Sequence, residues 1–345
     1  TFHSYCFDLL GKVGTLEESD AVISEAVNKI TNGEVESGRI TKSVLVIDEA
    51  QDMDANEFAL IQALMQRNDE MRIIAVGDDD QNIYEFRGSS SQYLFRLLEQ
   101  NDAIRYELVD NYRSKSNLVA FTNRVAERIT RRLKNTPICA VQSDTGRIRL
   151  IRYRSMNLIP PLVEDIIGQD LSGTTAILTR SNDEALQITG MLVKNGMRAR
   201  LIQSIEEFSL YNLLEIRFFL HQLHLEEGVY TIDDDTWANA KRSLADRFGS
   251  SPHLEMCSNL LRSFEQVNPK HKFVSSLEIF IRESKLEDFI EDNVEKITVS
   301  TMHKAKGREF DNVFLMLDRF HPQGDPDYRL LYVAMTRAKR FLSIH

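Results

Sequence analysis

Eight short, nearly unbroken runs of β-branched and aliphatic residues, spaced by helix-length segments, leave this chain few architectures. They are Val44–Ile47, Arg72–Val76, Arg147–Tyr153, Thr174–Thr179, Arg198–Ile202, Ile297–Ser300, Asn312–Leu317 and Phe341–Ile344. A strand with one wet face alternates apolar and polar side chains, whereas a parallel strand covered on both faces reads as a continuous apolar run. Amphipathic stretches such as Asn56–Gln66, Ser116–Leu133 and Asp183–Lys194 lie between the runs. This alternation predicts α/β layers on parallel sheet. From about Glu206 to Asp292 helical periodicity takes over, in Leu210–Leu225, Thr236–Phe248, Leu254–Phe264 and Phe273–Phe289. The strand pattern resumes at Lys296, so the helical block reads as a domain inserted into another.

A length of 345 residues, 42% hydrophobic and 27% charged, suffices for two or three domains with proper cores. No apolar stretch approaches the roughly 18–20 residues of a membrane span. No leader pattern opens the chain, and Thr1 in place of a methionine suggests a piece of a longer polypeptide. Cys6, Cys139 and Cys257 match no metal spacing and are expected as buried small hydrophobes in a reducing compartment, the cytoplasm. The net charge of −10 argues against coating nucleic acid over the whole surface.

Charge is unevenly spread. Residues 205–294 hold 17 Asp/Glu against 9 Lys/Arg, while residues 105–154 hold 12 Lys/Arg against 4 Asp/Glu. The basic segment can line one nucleic-acid groove. Arg124, Arg128 and Arg131/Arg132 fall at helical spacing, either as a phosphate-tracking stripe or as a solvated face. The acidic helical block disfavours duplex DNA and suits a regulatory or protein partner. Asp233-Asp234-Asp235 within it reads as a helix N-terminus rather than a metal site.

Two segments carry chemistry. Val44-Leu45-Val46-Ile47-Asp48-Glu49-Ala50-Gln51-Asp52 is an apolar strand ending in adjacent carboxylates, at the sheet edge where α/β proteins bind ligands. Phosphoryl transfer needs one carboxylate for Mg²⁺ and another group to place the attacking water, and Asp48 suits the metal and Glu49 the water. The alternative is a pair of solvated acids before the next helix. Ile73 to Gly88 is a second strand opening into the polar loop Gly77-Asp78-Asp79-Asp80-Gln81-Asn82-Ile83-Tyr84-Glu85-Phe86-Arg87. Gln81 suits contact with a terminal phosphate. Tyr84, Phe86 and Arg87 offer ring faces and a guanidinium for stacking on single-stranded bases, with core aromatics at alternate strand positions as the other reading.

These two segments resemble motifs II and III of UvrD/Rep/PcrA-like superfamily 1 DNA helicases. Four more stretches resemble the family in its order: Thr1-Phe2-His3-Ser4, the motif IV-like Asn111-Tyr112-Arg113-Ser114, the motif V-like Thr301–Asp311, and the motif VI-like Arg329–Lys339. The resemblance implies two RecA-like parallel-sheet lobes, the first incomplete, with a helical domain inserted in the second. The first lobe would span 1–110, with a reduced accessory insertion at about 5–42. The second would span 111–204 and 295–345, and the insertion 205–294. It also implies ATP and Mg²⁺ as cofactors. Asp48 would hold the metal, Glu49 would activate water, and Gln81, Arg113 and Arg337 would reach the γ-phosphate. Tyr112 would stack on adenine, and Gly307 and Glu309 would belong to the nucleotide site, Glu309 at the ribose. Phe2, His3, Tyr84, Phe86, Arg87 and His303 would line the single-strand track.

The sequence departs from the family in two respects. The phosphate-cradling loop Gly-x-x-x-x-Gly-Lys-Ser/Thr is absent, since Gly11-Lys12-Val13 has neither the earlier glycine nor the following hydroxyl. Such a loop would lie upstream of Thr1, and this polypeptide alone is expected to hydrolyse ATP poorly. Only 43 residues separate Ser4 from Asp48, little room for the family's first insertion. The expected function is an ATP-driven helicase or translocase, moving 3′ to 5′ on single-stranded DNA or at single/double-strand junctions. A non-catalytic helicase-like binding module and the helicase part of a helicase–nuclease are the alternatives.

Overall fold

The computed structural model describes residues 1–11, 16–99, 103–155, 157–169, 171–202, 210–223, 231–251, 253–269, 271–284, 297–318 and 320–345. Its strands, in chain order, are β1 (Val44–Ile47), β2 (Arg72–Ala75), β3 (Asp110–Asn111), β4 (Cys139–Ala140), β5 (Arg147–Leu150) and β6 (Thr175–Thr179). They continue with β7 (Ala199–Leu201), β8 (Thr231–Ile232), β9 (Lys272–Phe273), β10 (Ile297–Thr301), β11 (Phe310–Leu315) and β12 (Ala338–Ile344). All eight expected strands are present, with ends shifted by up to three residues.

Six of them form one sheet in the order β5-β12-β11-β6-β10-β7, and every neighbouring pair is parallel. The central strand β6 is buried along its whole length. Its alternating side chains feed two cores: Ala176 and Leu178 enter one and Ile177 the other. β11 divides likewise, with Val313 and Leu315 in the first core and Phe314 in the second. The first core is closed by residues of the helices Ser116–Ala126 and Asp325–Met335, the second by Ile159–Ile167 and Asn182–Lys194. This double cover is the physical origin of the continuous apolar runs. Each fully buried Leu or Ile adds roughly 1.5–3 kcal/mol. Directly after β6, Ser181 caps the helix Asn182–Lys194 reciprocally: its Oγ accepts from Glu184 N (3.2 Å) and its N–H donates to Glu184 Oε2 (2.9 Å).

β1 and β2 depart from that pattern. They form a separate two-stranded sheet that leaves Val44, Val46, Ile74 and Val76 exposed. Two strands without a covering helix on that face cannot bury both sides, whatever their composition.

The expected helix Ser116–Leu133 is shorter than its periodicity suggests, ending at Ala126. The Asp325 carboxylate accepts the N–H groups of Thr130 (2.8 Å) and Arg131 (3.0 Å), donors that a continuing helix would need. Arg128, Arg131 and Arg132 therefore lie past the helix end, and the arginine stripe expected on one helical face does not form.

The chain groups into two compact units, one of Thr1–Ser43, Asn56–Arg72 and Ile205–Asp292, the other of Val44–Ala55, Ile73–Ser204 and Asn293–His345. The lobe boundaries expected from the sequence do not coincide with these units, because segments 44–55 and 73–110 carry contacts such as Ile83, which joins the first core of the large sheet. In the other unit, the helices Phe2–Leu10, Leu16–Asn32 and Ala55–Arg67 contribute Cys6, Phe7, Val22, Ile30 and Leu60 to one core. The helices Leu214–Gln222, Asp234–Phe248, Leu254–Val267 and Val274–Glu283 surround another, centred on Phe219, Trp237 and Phe264. Asp233 caps the second of these helices by accepting from Thr236 N (2.8 Å), as its acidic run led one to expect. The tails of two expected helices, 224–225 and 285–289, lie outside the described residues.

Candidate active site

All the chemistry described below except Phe2 and His3 lies within the unit that holds the six-stranded sheet. After β1 the backbone turns sharply: Glu49 takes φ 51°, ψ 40°, the one non-glycine residue with positive φ among the described residues. A left-handed carboxylate-bearing residue is held there against its intrinsic preference, by about 1–3 kcal/mol, as recurs at functional sites. Asp48 and Glu49 are exposed. Asp48 Oδ1 accepts from Glu49 N (2.9 Å), and Glu49 Oε2 accepts from Gln51 Nε2 (2.5 Å).

Gln51 is the buried hub of this turn. Its Oε1 accepts from Asp78 N (2.9 Å) and its backbone carbonyl accepts from Asn82 Nδ2 (2.9 Å), so the loops after β1 and β2 are locked together. Gly77 permits the approach, since a Cβ there would stand 2.6 Å from Gln51 Oε1 and 3.1 Å from its backbone nitrogen.

The acidic loop Asp78-Asp79-Asp80 is neutralised from within. Arg132 donates to both Asp80 oxygens (2.8 and 2.7 Å), Lys134 pairs with Asp78 (2.6 Å) and Asp80 (3.3 Å), and Leu133 N donates to Asp79 (2.6 Å). Burial alone would depress the Lys134 ammonium, but Asp78, Tyr332 and Asp80 hold it above its ordinary range. Part of the basic stretch 105–154 is thus spent on ion pairing inside the protein rather than offered to phosphates. Asp78 also accepts from Gln81 Nε2 (2.7 Å), which turns the other end of that amide, Oε1, towards Arg337.

Arg337 is 2% exposed. Its guanidinium donates from Nε to Val333 O (2.9 Å), from Nη1 to Arg308 O (3.2 Å), and from Nη2 to Gln81 Oε1 (3.2 Å) and Thr336 Oγ1 (3.1 Å). Every acceptor is a neutral oxygen, and no carboxylate pairs with it among the described residues. Burial and then the neighbouring Arg113 charge push its pKa down to about 10, so it stays cationic at neutral pH. Arg113 Nη1 reaches Thr336 O (3.4 Å), and its Nε pairs with Glu309 (2.6 Å), which Lys339 also holds (2.7 Å). Hydrogen bonds from Lys339 and Arg113 keep the Glu309 carboxyl below its usual range. Tyr112 is 71% exposed, and Gly307 has φ 79°, a conformation that disfavours a side chain.

Tyr84, Phe86, Arg87 and His303 converge. The Arg87 guanidinium lies 5.7 Å from the Tyr84 ring centre and 5.6 Å from that of Phe86. Phe86 meets His303 edge-on at 5.6 Å, and the Tyr84 hydroxyl donates to His303 O (3.3 Å). Phe86 sits on the 3-10 turn Glu85–Arg87 and is 69% exposed, which removes the core-strand reading for it. Burial, then Arg180 and Arg87, lower the His303 pKa, leaving the ring neutral at pH 7. Phe2 and His3 lie on the helix Phe2–Leu10 of the other compact unit.

Sequence reasoning gave no role to Gln51, Asp78, Lys134 or Lys306, and weighed Arg132 only as part of a phosphate-tracking stripe or a solvated face. Nothing local marks them, because each is defined by a partner tens to hundreds of positions away. The three cysteines form no disulfide, and Cys6 and Cys257 are buried as expected, but Cys139, on the two-residue strand β4, is exposed. Among the described residues no group of three or more His, Cys, Asp or Glu could hold a metal, and no helix is long and apolar enough to cross a membrane.

Comparison with known proteins bears on this constellation. The UvrD-like helicase C-terminal domain family matches residues 106–228 and 228–345, and the UvrD/REP helicase N-terminal domain family matches 35–102. The ATP-dependent DNA helicase Rep of Buchnera aphidicola subsp. Schizaphis graminum is 20% identical over 447 residues, covering 99% of this chain and 67% of that protein. DNA helicase II of Rickettsia typhi is 24% identical over 399 residues, covering 87% and 59%. The ATP-dependent DNA helicase Rep of Escherichia coli is 35% identical over 80 residues, covering 23% and 12%. The chain thus spans about three fifths to two thirds of the length of the two relatives matched along most of it.

Proposed function

This chain belongs to the UvrD-like helicase family, and we propose that it carries the hydrolytic and DNA-tracking residues of an ATP-driven helicase or translocase. Its substrate would be single-stranded DNA or a single/double-strand junction, traversed 3′ to 5′ in the cytoplasm. The observation that carries this reading is the Arg337 guanidinium, buried without a carboxylate partner among the described residues and turned towards Gln81. A buried cation bonded to neutral oxygens is poised for an anion, and a transferring phosphoryl group gathers negative charge that such a cation stabilises. Arg113 lies close enough to Arg337 to lower its pKa, and Glu49 close enough to raise it.

In this reading Glu49 orients the attacking water and accepts its proton, Gln81 meets the terminal phosphate, and Arg113 and Arg337 hold its developing charge. Mg²⁺ would be held by Asp48, whose exposed carboxylate is a hard oxygen donor, together with phosphate oxygens and water; it would supply charge neutralisation. The exposed Tyr112 ring is available to adenine, and Gly307 and Glu309 border the nucleotide, with Glu309 exchanging one cation for a ribose hydroxyl. Phe86, Tyr84, Arg87 and the neutral His303 form a platform on which bases stack. By the family resemblance Phe2 and His3, of a first lobe spanning 1–110, also contact single-stranded DNA, and the second lobe would span 111–204 and 295–345.

The decisive experiment measures ATP hydrolysis by the full-length protein with and without oligo(dT), beside Glu49→Gln. Stimulated turnover that the substitution abolishes, while oligo(dT) binding persists, supports the motor. Binding without any hydrolysis by the wild-type full-length protein would support the non-catalytic module instead.

A further inference from the structure

Lys306 follows the turn His303–Ala305, and its side chain is only 9% exposed. Its ammonium forms an ion pair with Asp52, stands 4.0 Å from Glu49 Oε2, and sits 5.1 Å from the centre of the Tyr84 ring. One cation therefore touches both the acidic turn after β1 and an aromatic of the stacking platform. The links on either side are short. Asp52 N donates to Glu49 O (2.9 Å), so the two acids share one turn, and the Tyr84 hydroxyl donates to a carbonyl of the turn that precedes Lys306 (3.3 Å). The other Asp52 oxygen, Oδ1, is buried without a hydrogen-bond partner among the described residues, so Lys306 is the principal hold on that carboxylate there.

We propose that Lys306 is a positioning residue that links the Tyr84 ring to the acidic turn carrying Glu49, so that a base stacking at Tyr84 alters how that turn is held. The inference rests on the function proposed above. Its physical basis is that one ammonium has one position: ion pair, second carboxylate and ring face are satisfied together, and displacing any of them moves the nitrogen relative to the others. Contiguous contacts of this kind carry coupling between sites. Lys306 needs no contact with DNA or nucleotide for this role.

The test is a double-mutant cycle read by the affinity for fluorescein-labelled oligo(dT), which does not depend on hydrolysis. Asp52→Asn, Tyr84→Leu and their combination are measured with Lys306 present and with Lys306→Met. The combined change in affinity is expected to depart by about fivefold or more from the product of the single changes. That departure should vanish in the Lys306→Met background and survive in Lys306→Arg, which keeps the cation. Should Lys306→Met alone unfold, the cycle measured with Lys306 and with Lys306→Arg still decides, because single changes that multiply independently there overturn the linkage. Circular dichroism and the thermal unfolding midpoint verify folding of each variant. If wild type binds oligo(dT) but the two sites act independently, the linkage is wrong and the motor reading stands. If wild type binds no oligo(dT), the motor reading fails and the linkage with it.

Discussion

Arg337 and Gln81, 256 positions apart, meet through a hydrogen bond of 3.2 Å from guanidinium to side-chain carbonyl. The amide is held from its other end by Asp78, which is itself held by Lys134, so a chain of polar contacts fixes the oxygen that faces the arginine. Among the described residues no carboxylate makes an ion pair with this buried cation, although Asp78 and Glu49 are near enough to act on it through space, and burying a cation without a direct ion pair costs free energy.

Arg337→Met accordingly tests two quantities at once. ATP turnover by the full-length protein should fall by about 10³–10⁵, the usual contribution of an arginine at a transferring phosphate. The melting temperature should move by no more than about 5 °C, because the lost hydrogen bonds are offset by removal of an unpaired buried charge. A collapse in thermal stability with turnover barely changed would make Arg337 a structural residue.

Asp80 and Arg132 should behave in the opposite sense. Asp80 is completely buried and receives two bonds from Arg132, with Lys134 farther off at 3.3 Å. Arg132→Ala is expected to lower the unfolding free energy in urea by about 3–5 kcal/mol, because it strands a buried carboxylate. Asp80→Asn in the same chain should recover much of that loss. Additive losses in the double variant would count against the pairing.

Gly77→Ala places a methyl group 2.6 Å from Gln51 Oε1. The Gln51 amide must move, releasing both Asp78 N and Glu49. We expect a stability loss of about 1–3 kcal/mol together with a fall in hydrolysis. Gly77→Ala/Gln51→Ala should regain stability without regaining hydrolysis. Full activity in the single variant would show that the two loops can separate without consequence.

The helical core offers a pH experiment with an internal reporter. Burial raises the Glu265 carboxyl, but hydrogen bonds from Lys241 (2.8 Å) and from the Trp237 indole (2.5 Å) outweigh it, and its pKa lies below the ordinary value. A depressed carboxylate contributes stability above its unfolded pKa, about 4.3, and loses that contribution as pH falls through the folded value. Acid unfolding followed by Trp237 emission should therefore be steeper in wild type than in Glu265→Gln below about pH 4.3. Identical acid limbs would sink this assignment.

Much of the architecture was legible in the amino-acid order because it rests on local regularities. The runs around Ala176–Leu178 and Val313–Leu315 are apolar at every position since both faces of the sheet are covered, and that pattern survives in one dimension. Asp48-Glu49 and Gln81 were visible as acids and an amide at strand ends. Other features had no local trace. Ser116–Leu133 keeps helical periodicity to its end, yet a carboxylate at Asp325 ends the helix at Ala126. The positive charge of residues 105–154 suggested a binding groove, but Arg132 and Lys134 are taken up by Asp78 and Asp80. Val44 and Val46 read as core residues and are exposed, because coverage depends on neighbours rather than on the strand.

The sequence by itself marked the strands of the large sheet and most helices, and the acids, amide and arginines suited to phosphate chemistry, since both follow from residue type and spacing. Only the tertiary structure decided which charges are neutralised and which cation has no carboxylate partner among the described residues, that Gln51 joins two loops, and that Lys306 lies between an acid and an aromatic ring. Electrostatic pairing acts over a few ångströms in space and is indifferent to separation along the chain, so it becomes readable only when the chain has folded.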